Sequence, residues 1–67
     1  MNNNYRVDVF YKPEKSTTVY HYPVEFPEYW LAKVYADAIK CECDVETVYL
    51  LERMSDNAFD IVEVIKR

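Results

Sequence analysis

Residues 25–42, EFPEYWLAKVYADAIKCE, separate two stretches of strict alternation with a segment of a different period, and that change decides the fold. At about 100° per residue, Trp30, Leu31, Val34, Tyr35, Ala38, Ile39 and Cys41 gather on one arc. Tyr29, Lys33, Asp37 and Lys40 occupy the rest. Pro27 suits a first helical position, and Glu28 is well placed in the positive first turn. The spacing predicts an amphipathic helix over 28–42 with its apolar arc turned to a sheet. The chain contains no glycine, so this helix must end without one, near Cys43 and Asp44.

On the N-terminal side, YRVDVFYK (5–12) alternates Tyr5, Val7, Val9 and Tyr11 against Arg6, Asp8, Phe10 and Lys12. Pro13 presets a turn in PEKS (13–16), and residues 17–26 alternate again. With Lys12 opposite Thr17, Val9 faces Tyr20, Val7 faces Tyr22 and Tyr5 faces Val24, which puts both apolar sides on one face. Pro23 has no donor for a ladder, so the second strand belongs at an edge.

On the C-terminal side, VETVYLLERM (45–54) and AFDIVEVIK (58–66) flank SDN, where Asp56 and Asn57 tolerate the positive φ of a tight turn. Pairing Met54 with Phe59 sets Arg53 against Asp60, whereas a slip of one residue would oppose Glu52 and Asp60. The expected fold is therefore a single small α+β domain, ββαββ, spanning 1–67. A loose N-terminus (1–4) precedes a hairpin (5–26), the helix (28–42) and a second hairpin (45–66). A helix returning across the sheet gives four antiparallel strands in the order 2-1-3-4, covered on one face.

Composition narrows the function. Near 67 residues a chain buries only about 60% of its unfolded surface. A hydrophobic fraction of 51%, with 16% aromatics, still permits a core without staples. The net charge is −4, from 12 acidic and 8 basic residues, which disfavours direct binding to nucleic acid or an anionic membrane. No basic-then-apolar leader begins the sequence, and no stretch approaches the roughly 20 apolar residues of a membrane span. Cys41 and Cys43, one residue apart, form no disulfide framework, which fits a reducing cytoplasm.

No catalytic, cofactor or metal motif stands out. His21 is expected beside Asp8 on the uncovered face, but no nucleophile falls near them, and a glycine-free chain has no loop to cradle phosphate or an oxyanion. CEC lacks the second half of a zinc site, and no calcium loop fits. The sequence predicts no enzyme and no cofactor. Tyr20, Tyr22, Phe26 and Trp30 are expected in the core, because aromatic stacking platforms need a positive groove and Glu25 and Glu28 are the charges here. Tyr29, on the polar helix side, is expected as an exposed contact.

Two features point to a partner. Phe10, Val19, Val48, Leu50, Met54, Phe59, Ile61 and Ile65 would project from the face without a helix, an apolar area of the kind that marks an interface. From Glu42 to Glu63 there are seven acids (42, 44, 46, 52, 56, 60, 63) and one base, Arg53. Such a surface meets a basic protein surface, for example the nucleic-acid groove of an enzyme. The expected contact set is Phe10, Val19, His21, Tyr29, Val48, Leu50, Glu52, Ile61 and Glu63, with Glu42, Asp44 and Glu46 beside them. A tiny acidic, glycine-free α+β chain without enzyme motifs resembles, in general build alone, many small phage-encoded proteins that inhibit host or defence enzymes. That resemblance implies a protein-binding inhibitor or modulator, with a homo-oligomeric accessory protein as the alternative.

Overall fold

The computed structural model describes residues 3–67. Its elements run β1 (Tyr5–Tyr11), β2 (Tyr20–Phe26), α1 (Tyr29–Ile39), β3 (Val45–Ser55) and β4 (Ala58–Lys66). The strands form one antiparallel sheet in the order β2-β1-β3-β4, and α1 lies on one face. The ββαββ α+β architecture and its strand order are those expected from the alternation and the period change.

The core forms where β1 and β3 present short branched side chains to the helix. Val7 pairs with Leu50 and Val9 with Val48 across the strands. Together with Ala32, Ala36 and Val45 they are almost wholly removed from water. Tyr5, Tyr11, Phe26, Tyr35, Ile39 and Ile65 close the edges of this cluster. Phe26 from β2 meets Tyr35 from the helix with ring centroids 5.3 Å apart.

The helix, however, sits on a different side from the one its apolar arc predicts. Its fully buried residues are Ala32 and Ala36, one turn apart. Two methyl groups let the helix axis approach the sheet closely, and the branched strand residues fill the space on either side. Trp30 and Val34 are turned outward, 59% and 62% exposed. The arc reading failed because side-chain size, and not apolarity alone, selects the face that seats on an already bulky sheet. The helix is also shorter than 28–42. Glu28 is its N-cap with an extended backbone and no side-chain cap bond, so it is outside the first turn, and the last turn relaxes into a succession of i→i−3 bonds through Cys41, Glu42 and Val45. The Lys66 ammonium donates to the carbonyls of Lys40 and Val45, satisfying the end of a helix that has no glycine cap.

Both hairpins depart from their expected registers. In the first, Val9 pairs with Tyr22 and Phe10 with His21, two residues further along β2. The even slip preserves the faces, and Thr17–Val19 fall in the loop, where Lys15 takes a left-handed φ of 68° in the turn closed by Ser16 N–H to Pro13 C=O. Asp56 and Asn57, by contrast, adopt no positive φ. In the second hairpin Ser55 pairs with Ala58, Arg53 with Phe59 and Glu52 with Asp60, so the ladder shifts at Met54. Further irregularities fall at Val62 and Ile65. Each extra residue exchanges the two faces. Val48 and Leu50 lie under the helix instead of on the open face because they pair with Val9 and Val7 of β1, and Ile65 packs on the core while Ile61 does not. The charge pair Arg53–Asp60 yields to burial of Leu50, and two carboxylates stand opposite each other.

Glu63 also belongs to the helix side. Its carboxylate accepts hydrogen bonds from the Tyr29 hydroxyl (2.8 Å) and from the Lys33 ammonium, clamping α1 to β4. These donors hold the Glu63 carboxyl below its ordinary range, and its acceptance raises the pKa of both Lys33 and Tyr29. Of the terminus expected to be loose, Met1 and Asn2 lie outside the described residues. The backbone carbonyls of Asn3 and Asn4 accept bonds from the Arg53 guanidinium (2.8 Å) and the Arg53 N–H (2.7 Å). The N-terminus is therefore strapped to β3 from Asn3 onward.

Three outcomes test this packing. Ala36→Leu should cost about 1–3 kcal/mol by overpacking the helix–sheet contact. Ala38→Leu, on the outer side, should stay within about 0.5 kcal/mol in the same urea titration. Asp60→Lys should raise stability by about 0.2–1 kcal/mol, replacing a like-charge cross-strand pair with an opposite one. Because the Glu63 carboxyl titrates lower folded than unfolded, its contribution is present above the ordinary glutamate pKa and is lost as pH falls through the folded value. Glu63→Gln should therefore flatten the acid side of the stability–pH curve measured by thermal melts between pH 3 and 6.

Candidate protein-binding surfaces

The face opposite the helix is built by alternation: Arg6, Asp8 and Phe10 from β1, His21, Pro23 and Glu25 from β2, Tyr49, Leu51 and Arg53 from β3, and Phe59 and Ile61 from β4. Leu51 at its centre is buried although no helix lies above it. The chain roofs this face with its own side chains. The guanidinium carbons of Arg6 and Arg53 lie 4.5 Å and 4.6 Å from the centroid of the Phe59 ring. Arg6 is paired with Asp8 (Nε to Oδ1, 2.9 Å), and Arg53 reaches Glu25 and the Asp56 carbonyl. Long arginine stems cover apolar surface while their charged ends stay partnered or wet.

Among the described residues Asp8 is the one buried charged residue, and it holds the other end of the roof. His21 Nε2 stands 3.1 Å from Asp8 Oδ1, so the expected His–carboxylate contact forms, although Phe10 and not Asp8 is the ladder partner of His21. The imidazole stacks on Phe10 (4.6 Å, 9° between planes), and Phe10 meets Tyr49 edge-on. No cysteine or serine appears in these contacts. The arrangement orients a surface imidazole and carries no nucleophile.

The expected contact residues therefore separate into three groups. Val48 and Leu50, both 0% exposed, are core and present nothing to a partner. Glu63 and Tyr29 are joined to each other and Glu52 faces the Tyr5 hydroxyl at a long 3.5 Å, all on the helix side. Phe10, Val19, His21 and Ile61 remain on or beside the opposite face. There the exposed apolar surface is confined to Val19 at one end and to Ile61 with its β4 neighbours Val62 and Val64 at the other edge. Phe10, Val19, Glu46, Thr47 and Tyr49 enclose a shallow hollow of about 230 Å³.

The acids Glu42, Asp44 and Glu46 are all exposed, the first two in the turn leading from α1 into β3 and Glu46 at the start of β3. This turn lies at the end of the sheet, and the Asp44 carbonyl accepts the Lys12 N–H (2.9 Å), which ties it to the β1–β2 loop. Asp37, further back on the helix, is already paired with Lys33 and Lys40.

Sequence reasoning missed the most exposed apolar surface. Trp30, Val34 and Ala38 recur at i, i+4 and i+8 on the outer side of α1, all in water. Tyr20 and Tyr22, expected in the core, lie on the same side of the sheet at 47% and 57% exposure, because the helix seats over β1 and β3 and leaves β2 largely uncovered. The signal for this was present in the chain: Ala32 and Ala36 at i, i+4 define a small-residue seam, and Trp30 and Val34 lie off it.

Among the described residues no helix is long and apolar enough to cross a membrane, and no three His, Cys, Asp or Glu side chains gather as metal ligands would. Compared with models of protein families, with curated proteins and with solved structures, the chain matches none.

Proposed function

We propose that this chain is a small acidic protein-binding module that modulates, by occupation, a partner protein presenting a basic surface. One observation carries the reading. Trp30 and Val34, one turn apart on the outer side of α1, are more exposed than buried. Tryptophan is the residue most enriched among binding hot spots, and an outward Trp with an aliphatic neighbour at i+4 is the helical form of such an anchor. The surrounding charge supports the sign of the partner: Glu28 precedes the helix, Glu42 and Asp44 follow it, and the net charge is −4. Acids at the rim of an apolar contact speed encounter with a basic surface and set its orientation. A nucleic-acid-binding groove is one such surface, and filling it would inhibit its owner. The anchor now proposed is the outer helix and not the sheet face opposite it, which the arginine roof covers.

The test is binding to the partner at two ionic strengths, with sedimentation of the protein alone alongside. Trp30→Ala is expected to weaken the complex by about 30-fold or more, equivalent to at least 2 kcal/mol, while the amide spectrum of the free protein is unchanged. Raising the salt should slow association. A concentration-dependent dimer that dissociates in Val34→Asp would instead assign this face to self-association and replace the reading.

A further inference from the structure

Beside the outer stripe, under the C-terminal half of α1, an open cleft of about 330 Å³ separates the helix from the β1–β2 end of the sheet. Val9, Val45 and Ile39 line it with aliphatic carbon, and Tyr11, Tyr22 and Tyr35 supply three aromatic rings. Tyr11 is itself stacked on Tyr20 (5.4 Å), and Tyr35 is steadied by Phe26, so two of the rings are held in place. Burial pushes the Tyr35 phenol up, and it stays neutral at ordinary pH. Glu42, Cys43 and Asp44 complete the lining, and no Lys or Arg takes part in it. The nearest helix and strand cations are engaged elsewhere: Lys40 with Asp37, and Lys66 with two backbone carbonyls. Lys12 adjoins Asp44 through its backbone N–H, and its side chain is exposed.

An aliphatic floor, aromatic walls and two carboxylates together match one kind of guest, an alkyl chain ending in a positive charge. The stem gains by leaving water. The charged head gains from the negative ring faces and from the carboxylates. We infer that the cleft receives a lysine or arginine side chain from the partner's basic surface. This rests on the protein-binding reading for the source of the side chain, while the cleft's preference for a cation can be measured without any partner.

Amide NMR titration with blocked single residues reads it directly. N-acetyl-lysine methylamide and N-acetyl-arginine methylamide should give saturable shifts centred on Tyr22, Tyr35 and Cys43. The uncharged N-acetyl-norleucine methylamide should bind at least about fivefold more weakly, and N-acetyl-glutamate methylamide should not bind. The double variant Glu42→Gln, Asp44→Asn changes two exposed side chains, so it keeps the fold and should abolish the preference for lysine over norleucine. Equal binding of lysine and norleucine, or no saturable shift with either cation, overturns the inference. Repeating the titration with Trp30→Ala separates the two proposals. Retained lysine binding in a variant that has lost its partner supports the cleft. A partner captured at full strength by the Glu42→Gln, Asp44→Asn protein overturns the cleft's role and leaves the outer-helix contact standing.

Discussion

The close seating of Ala32 and Ala36 on Val7, Val9, Val48 and Leu50 is the contact on which the other features of this molecule depend. A chain this short has one helix with which to exclude water from a four-stranded sheet, and the area removed depends on how near that helix lies. Alanine seats it closest. The consequence is a rotation: Trp30 and Val34 of the apolar arc are turned away from the sheet, while Tyr35 and Ile39 stay at the edge of the core. Tyr29 and Lys33, flanking the seam, then reach Glu63 on β4, and Tyr35 on the other flank reaches Phe26 on β2. The helix is thus held by methyl groups in the middle, by an ionic clamp on one side and by rings on the other.

The same seating explains why binding surface and core compete for the aromatic residues. Placed over β1 and β3, the helix covers one edge of β2 and leaves Tyr20 and Tyr22 in water, with the tyrosine-lined cleft between. The opposite face has no second layer and does not need one. Arg6 and Arg53 lie against Phe59, Asp8 anchors Arg6 and His21, and Leu51 is closed off beneath them. Polar side chains with long apolar stems serve there as the missing layer.

Strand count, strand order and the parity of β1 were legible in the residues because alternation over YRVDVFY is unambiguous and Pro23 marks an edge. The parity of β3 was not. Val48 and Leu50 form one apolar set and Tyr49 and Leu51 another, so a period of two cannot choose between them; only the long-range pairing with Val7 and Val9 does. Bulges at Met54, Val62 and Ile65 then uncouple β4 from any single register. A charge pair such as Arg53–Asp60, worth a few tenths of a kcal/mol to about 1, gives way to the burial of a leucine, worth about 1.5–3. The candidate surface suffered most from this. Its acids Glu42, Asp44 and Glu46 are exposed around the passage from α1 into β3, but its apolar half moved from the sheet to the helix.

The two edges of the sheet differ in what they offer to another strand. At β2, Pro23 interrupts the row of donors; at β4, the extra residues Val62 and Ile65 break the spacing of the ladder and increase its twist. A second copy approaching either edge meets an uneven template, so growth of the sheet by strand addition is suppressed at both ends. A chain with this much apolar surface in water thus presents an irregular backbone at both edges of its sheet.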